Sequence, residues 1–274
     1  MQTHITTLIL IFANVIFSYS GFKDYRYVEE SVFNVDKILI GKEYKRLISS
    51  GFVHANWWHL GFNMMALYSF GSYIESVFGS VYFLLIYFAS LLGGSFLSLF
   101  IHRNDGNYSA LGASGAVFGI VYSSIILDPF SEISLFMLMD MPAWAYGILF
   151  IAVSIFGIKS QAGNIGHDAH LGGAIIGMLV TIALRPMLLE VHLSTILLLL
   201  IPSVFFLIWL IRQPHAMLIE NLFAQKQGFQ TMEDRYNARR ATHEKEVDRI
   251  LEKISKRGID SLTAKEKEVL NKRM

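Results

Sequence analysis

Polar residues along most of this chain are islands between long apolar runs. Against the roughly 20 apolar residues needed to cross a bilayer, seven stretches read as spans: about 5–22, 59–78, 80–101, 111–127, 142–158, 167–185 and 194–211. The first has no basic segment ahead of it and no small-residue cleavage site behind it, so it reads as a retained span. Pro202 lies inside the seventh, where a membrane helix tolerates a kink. Residues 129–141 (PFSEISLFMLMDM) carry Glu132 and Asp140 among apolar neighbours and read as an interfacial segment. The loop 23–58 is too apolar for a tether. It reads as folding onto the membrane surface, with Trp57 and Trp58 as aromatic anchors.

Composition agrees with the pattern. Of 274 residues 53% are hydrophobic and 16% charged, against about 25% charged in soluble domains. Residues 215–274 hold 13 of the 23 Lys+Arg and 10 of the 22 Asp+Glu. This excludes a soluble enzyme and predicts an all-α fold: a polytopic membrane helix bundle followed by a polar tail. The absence of cysteine excludes disulfides, a thiol nucleophile and Cys-ligated metals. A net charge of +1 gives no reason to expect nucleic-acid binding.

Counting crossings places the loop 23–58, the starts of spans two, four and six, and the tail on one side of the membrane. Those three starts carry polar residues that are expensive in a bilayer. Span two opens HLGFN, with His59 and Asn63 at i and i+4. Span four opens GASGAVFG, with Ser114 in its first turn; span six opens HDAHLGG, with His167 and His170. A lone membrane serine usually bonds back to a carbonyl one turn earlier, and a lone histidine usually joins two helices. A metal site built on His54, His59 and the His pair is conceivable from residue types, but HExxH is absent and Asp168 is the only acid beside the pair. Convergence of serine, histidine and asparagine at one end favours catalysis. Gly115 and Gly119, and Gly173 and Gly177, form two GxxxG patterns, with Gly112 and Gly172 adjacent. Such spacing commonly serves helix packing; here it would also bring Ser114 to His170. Imidazole can take the serine proton, and amides at the start of span four, with His59 and Asn63, could hold an oxyanion. With no third carboxylate evident, this is a Ser–His dyad, and Phe118 could present its ring to His170.

Four strings resemble the rhomboid family of intramembrane serine proteases: FVHANWWHLGFNM (52–64), ESVFG (75–79), GASGAVFG (112–119) and AHLGGAIIG (169–177), with MPAW (141–144) also similar. They cover residues 40–185 in the family's order. The resemblance implies Ser114 as nucleophile, His170 as general base, His59 and Asn63 as oxyanion donors, and Glu75 as a polar anchor. Phe118, Gly112, Gly115 and Gly173 would support them, and no cofactor or metal is implied. It further implies cleavage in or beside the membrane segment of single-span proteins, within a bilayer, and placement in a bacterial inner (plasma) membrane. The expected organisation is a first span (1–22), a membrane-associated loop (23–58), core spans two to six (59–185), a seventh span (186–214) and a polar tail (215–274). Residues 159–166 (KSQAGNIG) would be a mobile cap. The chain departs from the family in two places: Tyr44-Lys45-Arg46 keeps an arginine without its tryptophan, and Phe118 stands where a tyrosine is common. A non-catalytic rhomboid-like binder of membrane proteins and a His-lined transporter are the alternatives. The binder typically loses the serine or histidine. The transporter predicts repeated halves, which are not found.

Two further expectations concern sidedness and the tail. Of the 23 Lys+Arg, all but Arg185 fall on the site side, which the positive-inside rule places in the cytoplasm; the resemblance implies an outward-opening site. In the tail, EKEVDRILEKISKR (244–257) puts Val247, Ile250, Leu251 and Ile254 on one helical stripe, with Gly258 as its stop. TAKE (263–266) reads as a capping box opening a second helix. This helical hairpin would contact a partner, touch the membrane surface, or only solubilise; 226–243 reads as linker.

Overall fold

The computed structural model describes residues 4–135, 139–160 and 166–212, and in the tail 242, 246–256, 261–263 and 266. The chain forms two compact units, residues 1–227 and 228–274, and each is taken by itself.

In the first unit, α1 (Ile5–Lys23), α5 (Trp57–Ala66), α6 (Ser72–Ile101), α7 (Ser114–Leu127), α8 (Ala143–Ser160), α9 (His167–Leu184) and α11 (Leu193–Arg212) supply the apolar bundle. Among the described residues, four helical stretches are long and apolar enough to cross a membrane: Ile5–Lys23, Trp57–Ile101, His167–Leu184 and Leu193–Leu210. The 45-residue stretch Trp57–Ile101 holds expected spans two and three. A π turn (Leu67–Gly71) joins α5 to α6, and the chain reverses at Gly79, whose φ of 76° and ψ of 167° interrupt α6. Few residues but glycine adopt that conformation. The buried face of α1 carries Thr7, Asn14 and Ser18, and Glu75 closes its first turn. The carboxylate accepts from Thr6 N (3.0 Å), Thr7 N (2.9 Å), Thr7 Oγ1 (2.7 Å) and Ser80 Oγ (2.8 Å). The two amides are donors that a helix start leaves without intrahelical partners, and with the two hydroxyls they let Glu75 tie spans one, two and three together.

The centre is α7, packed between α6 and α9 and buried from Gly115 to Ile126 except at Phe118. A Cβ on Gly173 would overlap the Gly115 carbonyl, and one on Gly177 the Gly119 carbonyl. The two GxxxG patterns therefore face each other and let the α7 and α9 backbones touch. Ser123 Oγ donates to the Gly119 carbonyl (2.8 Å) and accepts from Thr181 Oγ1 (2.7 Å), filling the seam with satisfied polar groups.

The structure corrects the span-four boundary: the helix begins at Ser114, not 111. Gly112 takes φ 119°, which turns Leu111–Ala113 out of the helical path. The 14 residues of α7 give about 21 Å at 1.5 Å each.

The loop after span one folds on the body as α2 (Tyr25–Ser31), α3 (Val35–Leu39) and α4 (Arg46–Ser49). Its buried Phe33, Val35, Ile38 and Leu47 form a small core of their own. Arg46 holds it: Nη1 donates to the Glu29 (2.7 Å) and Val32 (2.9 Å) carbonyls, and Nη2 pairs with Glu43 at 2.8 Å. The strand β1 (Phe33–Asn34) pairs antiparallel with β2 (Ser109–Ala110). Trp57 and Trp58 are exposed. Within the segment expected at the interface, β3 (Glu132–Leu135) pairs antiparallel with β4 (Met139–Pro142) in the register Ile133 to Met141. Pairing supplies partners for backbone groups that an apolar surrounding would leave unsatisfied. The short helix α10 (Leu188–Val191) precedes α11.

In the second unit, a helix covers residues 246–256 and buries Val247 and Ile250. Leu251, expected on that stripe, is 46% exposed; at 100° per residue it sits on the flank of the Val247–Ile250–Ile254 line. The capping box is present. Thr263 N donates to Glu266 Oε2 (2.8 Å) and Glu266 N to Thr263 Oγ1 (3.3 Å). Lys253 Nζ ties the first helix to Glu266 at 2.8 and 3.0 Å. Gly258, the remainder of the linker and most of the expected cap (161–165) lie outside the described residues.

Candidate active site

Ser114 is the first residue of α7 and His170 lies in the first turn of α9. The glycine seam sets the separation of their backbones, and His170 Nε2 lies 2.7 Å from Ser114 Oγ. The Phe118 ring, one turn beyond Ser114, stacks on the imidazole with centroids 4.3 Å apart and planes within 5°. Phe150 of α8 packs on the other ring of that pair at 5.6 Å. The imidazole is thus located by a hydroxyl at one edge and an aromatic face. His167 meets His170 edge to face at 5.7 Å.

His59 enters from α5, whose start is capped by Asn56 Oδ1 accepting from His59 N (2.9 Å). Its ring lies against Gly112, where a Cβ would come 2.6 Å from Cε1. Glycine is required there twice over, for its φ and for the imidazole. Asn63 is buried one turn along α5 and spends one amide hydrogen on the His59 carbonyl (2.9 Å). Gly115 and Gly173 act at the seam already described. Ser114, His170, Phe118, Gly112 and His59 thus share one end of the bundle, with Asn63 directly behind His59.

Two clusters are larger than the residue pattern indicated. His54 Nε2 accepts from Ala113 N (3.3 Å) while Nδ1 donates to Ser18 Oγ (2.8 Å), which in turn donates to the Phe52 carbonyl (3.1 Å). Burial, with His59 nearby, pushes His54 down to about 3, so it stays a neutral acceptor. Ala113 N–H is thereby occupied, leaving the amides of Ser114, Gly115 and Ala116 as the first-turn donors lacking intrahelical acceptors. Second, Asp168 is buried and accepts from Tyr108 Oη (3.1 and 3.3 Å), with His102 Nε2 3.5 Å away. Crossing parity placed 102–110 on this side, a signal that would have nominated His102 and Tyr108. Among the described residues, no group of three or more potential metal ligands converges.

The chemistry available is proton transfer from a hydroxyl to an imidazole beside a helix start. The helix end favours developing negative charge.

A model described as the Rhomboid domain matches residues 41–187, and one of a family of unknown function, DUF6576, matches 230–272. "Rhomboid protein 1, mitochondrial" of Saccharomyces cerevisiae is 36% identical over 138 residues, 48% of this chain and 40% of that protein. Rhomboid protease GluP of Bacillus subtilis is 32% identical over 142 residues, 52% of this chain and 26% of that protein. Rhomboid protease GlpG of Haemophilus influenzae is 28% identical over 135 residues, 49% of this chain and 66% of that protein. The chain spans less than half the length of the yeast and Bacillus relatives. Relatives also include mitochondrial and chloroplastic rhomboid-like proteins of Arabidopsis thaliana; the domain match and the apolar helices mark this chain as an integral membrane protein. With the domain match covering more than half of its residues and an apolar helical bundle to carry it, the chain belongs to the rhomboid family.

Proposed function

We propose that the chain is an intramembrane serine endopeptidase that cleaves transmembrane or juxtamembrane segments of single-span membrane proteins. The observation that carries this reading is the 2.7 Å contact of His170 Nε2 with Ser114 Oγ, on an imidazole stacked against Phe118. His170 takes the Ser114 proton as Oγ attacks the scissile carbonyl. The oxyanion is held by the free amides at the start of α7, with His59 and Asn63 side chains facing the same end. His170 then gives its proton to the leaving amine, and water, activated by the same imidazole, releases the acyl group. A helical substrate must unwind locally to present a carbonyl here, which fits substrates with helix-weakening residues near the cleaved bond.

The test is cleavage of a single-span model substrate by purified protein in lipid. Ser114→Ala and His170→Ala should each lower the rate by at least about 10³-fold. His59→Ala or Asn63→Ala should cost about 10²-fold if that side chain holds the oxyanion. Equal cleavage by wild type and Ser114→Ala would discard the dyad. An unreactive wild type that still retains membrane proteins would favour the non-catalytic binder.

A further inference from the structure

His170 stands in the first turn of α9, the part of a helix where amides lack intrahelical acceptors and fraying begins. A base placed there needs its helix end fixed. Asp168 is two residues earlier, so its side chain leaves the helix on the face opposite His170. It reaches an arrangement built elsewhere. His102 and Tyr108 stack with centroids 3.5 Å apart and planes within 4°. From that stack Tyr108 Oη donates to both carboxylate oxygens, at 3.1 and 3.3 Å, while His102 Nε2 stands 3.5 Å from Oδ2.

The stack is itself held from below. The Tyr108 carbonyl accepts from Val35 N (3.3 Å) and Asn34 Nδ2 (3.3 Å), and the Tyr108 ring meets Phe33 edge to face at 6.1 Å. A continuous line of contacts therefore runs from the small core of the first loop, through Tyr108, to the start of α9. Asp168 is 3% exposed, and a buried carboxylate persists where donors satisfy it. The contacts explain how a second acid, besides Glu75, is held within the apolar bundle.

We propose that Asp168, clamped by Tyr108 and His102, is a positioning residue for the general base. It fixes the first turn of α9 and so keeps the His170 imidazole at hydrogen-bond reach of Ser114. The role rests on the proposed dyad. It adds no group to the reacting atoms; it supplies through the helix the orientation that a third carboxylate gives directly in a triad.

The test follows labelling of Ser114 by a fluorophosphonate in the full chain, in lipid, resolving reagent affinity from the maximal labelling rate. Tyr108→Phe, which removes one hydroxyl, and Asp168→Ala should each lower the maximal rate about tenfold with affinity unchanged within about twofold. The double variant should be no slower than either single one. Asp168→Asn, which keeps an acceptor for Tyr108, should stay within about threefold of wild type. Melting temperature is followed for all four. Wild-type maximal rates in both Tyr108→Phe and Asp168→Ala would overturn the role. So would losses that appear only in affinity, or only in variants whose melting temperature falls. If wild type labels no more than Ser114→Ala, the dyad reading itself has failed. If wild type labels and the variants keep pace with it, only the positioning role has failed.

Discussion

A single ring decides how the base is held. Phe118 offers His170 a face at 4.3 Å, and such a pair is worth about 0.5–1.5 kcal/mol. Phe118→Ala should therefore slow Ser114 labelling about three- to tenfold, while Phe118→Tyr should leave it near wild type, measured as fluorophosphonate labelling rates. His54 makes a different case. Its imidazole is the acceptor for Ala113 N–H and is held neutral near 3 by burial. In the unfolded chain it titrates near 6.5. Above that pH both states are neutral; below it only the unfolded chain gains the proton, so stability declines as pH falls from about 6.5 toward about 3. His54→Ala should weaken that pH dependence by one histidine's share and cost about 1–3 kcal/mol for the orphaned amide, read from unfolding at several pH values. The approach of Ser114 to His170, with Phe118 on the imidazole, was legible in the sequence because helical spacing, crossing parity and the glycine patterns together align them. His54 was visible only as a potential ligand, because its partners Ser18 and Ala113 lie 36 and 59 residues away.

At the scale of elements, the α7–α9 seam and the Glu75 cap carry the packing. Gly173→Val would drive a side chain into the Gly115 carbonyl. Backbone cannot yield as a side chain does, so the cost should be about 3 kcal/mol or more, and Ser114 labelling should disappear together with the cooperative melt. Glu75→Ala would strip four hydrogen bonds from the start of α1 and from Ser80. Loss of about 2 kcal/mol is expected, seen as faster amide exchange in residues 5–10 with the dyad intact. Both elements were legible as small-residue spacing and an acid at a span end. The 132–142 hairpin was not. Its apolar residues fit a surface helix as well as a strand, and only the pairing of Ile133 with Met141 separates the two. The same limit explains Leu251: a stripe drawn from spacing includes a flank that burial leaves out.

Over the first unit, side-chain contacts gather at two ends, the arrangement that the parity of spans one to six requires. Glu75, Thr6 and Ser80 meet at one end, and Ser114, His170, His54 and Tyr108 at the other. The chain contains no cysteine, so single cysteines can report sidedness without background. Cysteines at Lys42 and Met187 should react with a membrane-impermeant maleimide from opposite faces of a sealed vesicle. Reaction from one face alone would break the seven-span count. The tail answers to pH separately. Hydrogen bonds from Lys253, then Thr263, hold Glu266 at about 2 against 4.5. Their stabilising effect is complete above about 4.5 and is lost as pH falls toward 2. Protection factors of residues 246–256 should drop across that window, and in Glu266→Ala they should already be low at neutral pH.

The brevity of α7 has a consequence for how the protein meets different bilayers. At about 21 Å it falls some 9 Å short of a ~30 Å hydrocarbon core, yet neighbouring helices enclose it along nearly its whole length. A helix that touches no acyl chains incurs no mismatch penalty. Longer or shorter lipids should thus retune the tilt of the peripheral helices α1 and α11, while the register of α7 on α9 stays fixed by glycine against carbonyl. Acyl-chain length would then act on the outer helices, while the Ser114 hydroxyl stands at a depth set by protein alone.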